Sequence, residues 1–293
     1  MDIETWKAEL LSEANLELGE GAIWHPQWRQ FLYVDIEHGV VGAIDPETRQ
    51  SVQVRLDKRV GTVVAAGGNN LVVAVQGSID VLNFETGERK PLTPIEADKP
   101  TNRCNDGKCD AAGRLWIGTM HPTGEQGTGS LYRYDGALHT AIQGTAISNG
   151  ICWTADQKTM YYIDSANYHV LAYDFDLHAG TIFNPRIVAA IDPPAMPDGM
   201  CIDQEGMLWV AIWGGNAVHR YDPSTGNLIG KVDVDAPHVT SCALGGKDMQ
   251  QLFITTAKAG LSPDQLAQFP LSGSLFMVDV PYRGIDPHFF KCS

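Results

Sequence analysis

The stretch PDGMCID, Pro197 to Asp203, places an acidic residue and a glycine directly before a short apolar run. An acidic or amide residue followed by a glycine and an apolar run occurs three more times. These stretches are LGEGAIWHP at 18–26, NRCNDGKCD at 102–110 and SNGICWT at 148–154. The spacing of about 43 to 49 residues is typical of one four-stranded blade of a β-propeller. Each stretch is therefore predicted to begin a blade.

Six repeat units can be traced along the chain. Most units contain an early turn, a bulky hydrophobic second strand such as LWIG, MYYI, LWVA or LFIT, and a third strand ending near an aspartate. Helical periodicity is absent beyond the first dozen residues, so the pattern is all-β. No linker or low-complexity stretch divides the sequence. We predict a six-bladed β-propeller with a metal site in its central channel, built as a single domain from residues 1–293.

A propeller needs its first and last strands in one sheet, because an open ring would leave exposed strand edges. The segment from Ala14 to Leu18 is the predicted closing strand. Its expected partner is SLFMVDV near the end of the chain.

The composition argues against several classes of partner. The net charge is −14, which disfavours nucleic acid and anionic membranes. The N-terminus has no basic and apolar leader, and no run approaches the roughly 18 apolar residues of a membrane span. We therefore expect a cytoplasmic protein with neither nucleic-acid nor membrane partners. The sequence does not reveal the oligomeric state.

The six cysteines are expected to be free thiols, since a chain of this size does not need disulfides for stability. Cys152, Cys201 and Cys242 occupy equivalent positions in their repeats, which predicts small buried core residues. Cys104 and Cys109 flank a turn and have no second cysteine pair with which to form a zinc site.

Oxygen-bearing side chains begin the repeats and are expected to converge at one end of the channel. They are Glu20, Asn105 or Asp106, Asn149 and Asp198. Oxygen ligands suit hard cations such as Ca²⁺, Mg²⁺ or Mn²⁺. Asp-Gly and Asn-Gly are also common turn dipeptides, but four in register favour a site. No G-x-S-x-G, H-E-x-x-H or P-loop motif indicates another chemistry.

Nearly the whole chain resembles the senescence marker protein / gluconolactonase / luciferin-regenerating enzyme family. The resemblance lies in the order and spacing of LGEG, RCNDGKCDAAGRLWIGTM, SNGICWT, YYIDS, PDGMCID, LWVAIWGG and TTAKAGLS. Bacterial sugar-lactone hydrolases are the most similar members, through GTMH and LAQFPLSGSLF. The resemblance implies a propeller with one divalent cation, with Ca²⁺ first and Zn²⁺, Mn²⁺, Mg²⁺ or Fe²⁺ as alternatives.

Carried over by position, the resemblance implies roles for individual residues. Glu20, Asn149 and Asp198 match the metal ligands, and Asp198 would also act as the general base. Arg103 and Asn105 match substrate-binding positions, although in related phosphotriesterase propellers the position of Asn105 binds the metal.

One position departs from the family pattern. Mammalian members have a substrate-contacting glutamate where this chain has Thr123, and we expect His121 to supply that substrate contact instead. Tyr168 and Trp213 either form the floor of a sugar pocket or pack within their blades.

The predicted activity is hydrolysis of a small-molecule sugar lactone, such as glucono-, xylono- or arabinonolactone, to the sugar acid. Two alternatives remain open. A metal-dependent phosphotriesterase or esterase would use the same site. A non-enzymatic interaction propeller would not need charged oxygens in its channel, and the chain lacks the G-H and W-D markers of WD repeats.

Overall fold

A computed structural model describes residues 3–291, and its regular structure is almost entirely β. Two short strands come first, β1 (Glu4–Lys7) and β2 (Glu9–Ser12). The following strands are rich in aromatic and β-branched residues, which favour pleated and half-buried positions. The all-β prediction is confirmed, and the architecture is propeller-like.

Four antiparallel sheets each contain four consecutive strands. The strands of the first two sheets are β3 (Gly19–His25), β4 (Gln30–Asp35), β5 (Val40–Ile44), β6 (Ser51–Arg55), β7 (Val60–Ala65), β8 (Asn70–Val75), β9 (Ser78–Asn83) and β10 (Arg89–Pro94). Those of the next two are β11 (Arg103–Cys109), β12 (Leu115–Met120), β13 (Gly129–Tyr134), β14 (Leu138–Thr145), β15 (Ser148–Trp153), β16 (Thr159–Asp164), β17 (His169–Asp176) and β18 (Thr181–Ala190).

The remaining strands form one nine-stranded sheet with β1 and β2. They are β19 (Met196–Ile202), β20 (Leu208–Trp213), β21 (Ala217–Asp222), β22 (Asn227–Asp233), β23 (His238–Gly245), β24 (Gln251–Ala257) and β25 (Leu275–Asp279). The pairing of Trp213 with His238 joins β20 to β23. The prediction of six separate blades is therefore corrected to four separate blades and one large sheet, which contains the last two repeat units.

The first strand of each repeat unit lies on the inside of the molecule. Strands β3, β7, β11, β15, β19 and β23 contact one another in that order, and β23 contacts β3 to complete a ring. The inner strands are almost wholly buried, whereas the outer strands β6, β10 and β18 are largely exposed. Oxygen-bearing residues at equivalent places in the inner strands therefore face a common interior.

Closure at the chain ends differs from the prediction. The strand that pairs with β25 is β2, so the prediction of Ala14–Leu18 as the closing strand is wrong. Residues 14–18 instead cross from β2 into β3. Leu16 N donates to Gly273 O at 2.8 Å, and Leu18 forms a single bridge with Ala257. Strand β1 adds to the outer edge of β22 in parallel.

The helical structure in residues 3–291 consists of two short segments. A 3₁₀ turn, Ser165–Asn167, follows β16. Helix α1 (Pro263–Gln268) lies in the insertion before β25, and a capping box between Ser262 and Gln265 closes its first turn. Among the described residues, no helix is long and apolar enough to cross a membrane.

Candidate metal centre

Three predicted metal ligands meet in the interior of the ring. Glu20 is the second residue of β3, Asn149 the second of β15 and Asp198 the third of β19. Each side chain is 4–6% exposed. Asn149 Nδ2 donates a hydrogen bond to Asp198 Oδ1, and the carboxyl groups of Glu20 and Asp198 are hydrogen-bonded to each other. Glu20 and Asp198, which are 178 positions apart in the sequence, thus belong to one cluster of side chains.

The two carboxyl groups of this cluster hold their protons unusually tightly. Burial raises the pKa of Glu20 well above its ordinary value, and the nearby charges of Asp198 and Asp106 raise it further. Burial also raises the pKa of Asp198 to about 7, opposed by the hydrogen bonds from Glu20 and Asn149. Two adjacent carboxylates cannot both ionise readily without a compensating positive charge. Burial therefore favours the protonated forms of these two groups unless a positive charge lies beside them.

Two buried oxygens in this region have no hydrogen-bond partner in the described structure, Asn149 Oδ1 and Asp106 Oδ2. Asp106 is 3% exposed, and its other oxygen, Oδ1, accepts a bond from Gly107 N at 2.7 Å. Burial raises the pKa of Asp106, while the Lys108 ammonium opposes the increase. Unpartnered buried oxygens are costly unless something positive satisfies them. These oxygens and the carboxyl pair fit a hard divalent cation.

The candidate ligand set includes an amide side chain. Within residues 3–291, no three His, Cys, Asp or Glu side chains are arranged as a metal-binding group. The predicted ligand set instead combines the carboxylates of Glu20 and Asp198 with the amide oxygen of Asn149. The role of these residues as ligands stays a prediction.

Arg103 and Asn105 form a separate pair beside this cluster. Arg103 Nη1 donates to Asn105 Oδ1 at 2.6 Å, and Asn105 Nδ2 donates to Ser148 O at 2.8 Å. The amide oxygen of Asn105 is therefore engaged by a guanidinium group, and its substrate-binding and metal-binding roles both stay predictions. Burial lowers the pKa of Arg103, and the charges of Glu37 and Glu20 counteract that effect.

His121 lies outside the buried cluster. It follows Met120, the residue of β12 that pairs with Arg103, so it lies at the same end of the sheet. Its imidazole is half-buried and Nδ1 lies 2.7 Å from Thr123 Oγ1. The structure thus places His121 near the end of the strand that carries Arg103, with its hydrogen bond directed to its own loop. Its predicted substrate contact is untested.

A β-bulge occurs at the same place in every inner strand. The register shifts lie between Glu20 and Ile23, Val60 and Thr62, Cys104 and Gly107, Ser148 and Ile151, Pro197 and Met200, and Val239 and Ser241. Bulges re-aim side chains and are common beside functional sites. They explain how consecutive repeat units direct polar side chains into the ring rather than along the sheet.

The glycines after the site residues have two different roles. Gly21 has φ +64°, a conformation that favours glycine. Gly150 and Gly199 are needed for close approach instead. A Cβ at Gly150 would lie 2.6 Å from Asp198 O, and one at Gly199 would lie 2.5 Å from Ser241 Oγ. Small residues here let the inner strands come near enough to share a cluster.

Two positioning residues were missed by the sequence reasoning. Asp164 accepts hydrogen bonds from Ala146 N at 3.1 Å and Ile147 N at 2.8 Å, just before β15 and Asn149. A matching aspartate, Asp35, accepts bonds from the two backbone N–H groups that precede Gly19 in β3, at 2.9 and 3.2 Å. In the sequence, Asp35 and Asp164 could have been recognised as the aspartates that end the second strands FLYVD and YYID.

Two cavities border the ring. One, of about 90 Å³, lies further along the inner strands, and its lining includes Ala22, Lys108 and Cys201. The other, of about 360 Å³, lies where second strands end and inner strands begin, beside Gln76 and Asn102. Within the described part of the chain, the lining of neither cavity includes a predicted metal ligand or substrate-binding residue.

The prediction of free thiols is confirmed in the described residues, whereas the prediction that Cys201 is buried is wrong. Cys104, Cys109, Cys152, Cys201 and Cys242 are free. Four of them are buried, and Cys201 is half-buried. Cys292 lies outside the described residues.

The sequence model described as the SMP-30/Gluconolactonase/LRE-like region matches residues 18–258. The chain belongs to this family. The match begins two residues before Glu20 and includes every predicted site residue. Regucalcin from Sus scrofa is similar to this chain, with 36% identity over 293 residues, 96% of this chain and 97% of the relative.

Two solved structures of related proteins are also similar. A calcium-binding regucalcin from Agrobacterium tumefaciens has a TM-score of 0.94 and 25% identity, and the match covers 99% of each chain. A luciferin-regenerating enzyme has a TM-score of 0.90 and 28% identity, covering 97% of this chain and 99% of that one. The family resemblance inferred from the sequence motifs is therefore confirmed.

Proposed function

We propose that this protein is a divalent-metal-dependent hydrolase of sugar lactones, of which glucono-, xylono- and arabinonolactone are the candidates. One observation carries the proposal: Glu20, Asn149 and Asp198 form a buried oxygen cluster in which the amide oxygen of Asn149 has no hydrogen-bond partner among the described residues. The family includes gluconolactonases by its name, which supports a lactonase-type role.

The three residues of this cluster would hold the cation. When bound, a divalent cation would act as a Lewis acid on the lactone carbonyl. Calcium is the first candidate because the oxygen donors are hard and a similar solved regucalcin is described as calcium-binding. Zn²⁺, Mn²⁺, Mg²⁺ and Fe²⁺ are alternatives for reconstitution.

Asp198 is the proposed general base. Its carboxylate would take a proton from the attacking water while the water oxygen bonds to the carbonyl carbon. The ring C–O bond would then break, and the proton accepted by Asp198 would pass to the leaving ring oxygen, which restores the carboxylate. The product is the open-chain hydroxy acid, so one water is consumed for each lactone.

Arg103 and Asn105 are the proposed substrate contacts. Arg103 presents a planar set of donors that suits carbonyl and hydroxyl oxygens. Its bond to Asn105 Oδ1 keeps the guanidinium beside the cluster. His121 remains a proposed additional contact from the loop after β12.

The deciding experiment measures acid release from the three lactones with metal-stripped protein and with protein reconstituted with each cation. Activity should depend on the cation. Asp198→Asn should lose roughly a hundredfold or more in kcat. Glu20→Gln should require a higher cation concentration for half-maximal activity. Asp80→Asn is the matched control, because Asp80 is equally buried but lies in β9, outside the ring.

An organophosphate triester is assayed in parallel. Turnover of the triester without turnover of any lactone would replace the lactonase proposal with the phosphotriesterase alternative. Lactone turnover that is unchanged in metal-stripped protein and in both site variants would refute the site assignment.

A further inference from the structure

A histidine–tryptophan pair lies at the end of the ring where the inner strands begin. His238 is the first residue of β23, and Trp213 is the last residue of β20. Their rings are stacked, with centroids 3.9 Å apart and planes 15° apart. Trp213 also pairs with Met196, two residues before Asp198. The pair therefore flanks the strand that carries the proposed base.

The hydrogen bonding of His238 fixes which nitrogen is a donor. Nδ1 lies 2.9 Å from Ala259 O. A carbonyl oxygen can only accept, so Nδ1 carries the proton in the neutral ring and Nε2 has the lone pair. Burial lowers the pKa of His238, which keeps the imidazole neutral around pH 7. Stacking on Trp213 and the bond to Ala259 together fix the plane and rotation of the ring.

We propose that His238 determines specificity for hydroxylated lactones, with its Nε2 accepting a hydrogen bond from a ring hydroxyl of the substrate. Trp213 acts as the positioning residue that holds the imidazole plane. This inference rests on the proposed function and adds a contact outside the predicted set of site residues.

The donor and acceptor properties of Arg103 and His238 explain why a hydroxyl is the expected partner. Arg103 offers only donors, which suit carbonyl and hydroxyl oxygens. A neutral Nε2 offers only an acceptor, which repels carbonyl oxygens and pairs with O–H groups. A polyhydroxy ring satisfies both, whereas a lactone without hydroxyl groups can satisfy only Arg103.

The test uses two variants of His238 and one matched control. His238→Phe keeps an aromatic ring over Trp213 but removes the acceptor. His238→Gln carries an amide oxygen at a reach similar to Nε2. His219→Phe is the control, because His219 is also half-buried with its Nδ1 bonded to a neighbour, Tyr221 Oη at 3.1 Å, but lies on the third strand β21.

The substrates are glucono-1,5-lactone and unsubstituted δ-valerolactone. His238→Phe should raise KM for the gluconolactone about tenfold with kcat within about twofold, the effect of one lost hydrogen bond. Its kcat/KM for δ-valerolactone should equal that of the wild type. His238→Gln should recover most of the loss, and His219→Phe should match the wild type on both substrates.

An equal loss on both substrates, or no loss on the gluconolactone, would overturn the inference while leaving the lactonase proposal intact. If the wild type hydrolyses no lactone, the proposed function fails and a binding measurement decides the role of His238. The probe is 1,5-anhydro-D-glucitol, which has ring hydroxyls but no lactone carbonyl. Weaker calorimetric binding to His238→Phe than to wild type would support the contact, and equal or absent binding to both would overturn it.

Discussion

Glu20 and Asp198 are buried side by side, and this fact dominates the site at the scale of single residues. Their raised pKa values follow mainly from desolvation, with mutual repulsion and Asp106 adding to the effect on Glu20. The same features that make the pair poor acids in the metal-free protein make it a strong site for a cation. A cation in the cluster would displace bound protons and offset the cost of ionising both groups.

The first prediction concerns proton release. Between the ordinary pKa of 3.8 and the folded value of about 7, the native state binds more protons at Asp198 than the unfolded state does. Stability of the metal-free protein should therefore fall as pH rises through this range, by at most about 4 kcal/mol.

Adding Ca²⁺ at pH 6 should release a proton, measured by calorimetry in buffers of different ionisation enthalpy. Asp198→Asn should flatten the pH dependence, and Ca²⁺ binding without proton release would contradict the interpretation that a cation displaces bound protons.

At the scale of the strand, the repeat rhythm of the sequence predicted the β elements well because each apolar run is short and bounded by turn residues. The convergence of Glu20, Asn149 and Asp198 was also predictable, since a glycine after the polar residue identified each position, and their role as metal ligands stays a prediction. The bulges were not predictable, because register depends on pairing with the next strand and not on local composition.

The first dozen residues show helical periodicity, yet this segment contains strands β1 and β2. Pairing with β22 and β25 overrides the local preference for helix.

The second prediction tests the aspartate anchor of β15. Asp164→Asn exchanges one acceptor oxygen for a donor, so it should lose a backbone hydrogen bond and about 1–3 kcal/mol of stability. Because Ile147 is two residues before Asn149, Ca²⁺ affinity should also fall, by about tenfold. Titration calorimetry gives the affinity and urea unfolding gives the stability.

Asp203→Asn is the control for this anchor. Asp203 is fully buried and bonded to Trp209 and Arg220, so its loss should destabilise the fold. It lies beyond the bulge of β19, so Ca²⁺ affinity should be retained. Equal loss of affinity in both variants would mean that Asp164 acts through general stability alone.

At the scale of the whole molecule, the N-terminal strand β2 completes the nine-stranded sheet, and the chain then crosses directly into β3 and Glu20. Sequence reasoning predicted that the ends must meet, because exposed strand edges are unfavourable. It placed the closing strand too late, since the apolar segment 14–18 looks like a strand. Only the tertiary structure shows that this segment crosses the sheet end, with Leu16 bonded to Gly273.

The third prediction tests whether closure and the metal centre form one cooperative unit. Leu11 in β2 is 4% exposed and packs with Phe253 and Leu275 of the last repeat unit. Leu11→Ala should lower the free energy of unfolding by about 3 kcal/mol, whereas exposed Glu9→Ala should change it by less than about 0.5 kcal/mol. Ca²⁺ at 100 times its Kd should return about 2.7 kcal/mol to wild type and to Leu11→Ala alike, because the cation binds only the closed ring. Urea unfolding with and without Ca²⁺ provides the comparison. If Leu11→Ala leaves global unfolding unchanged but exposes the N-terminal strands to protease, then closure is a separate local event and does not support the cation site.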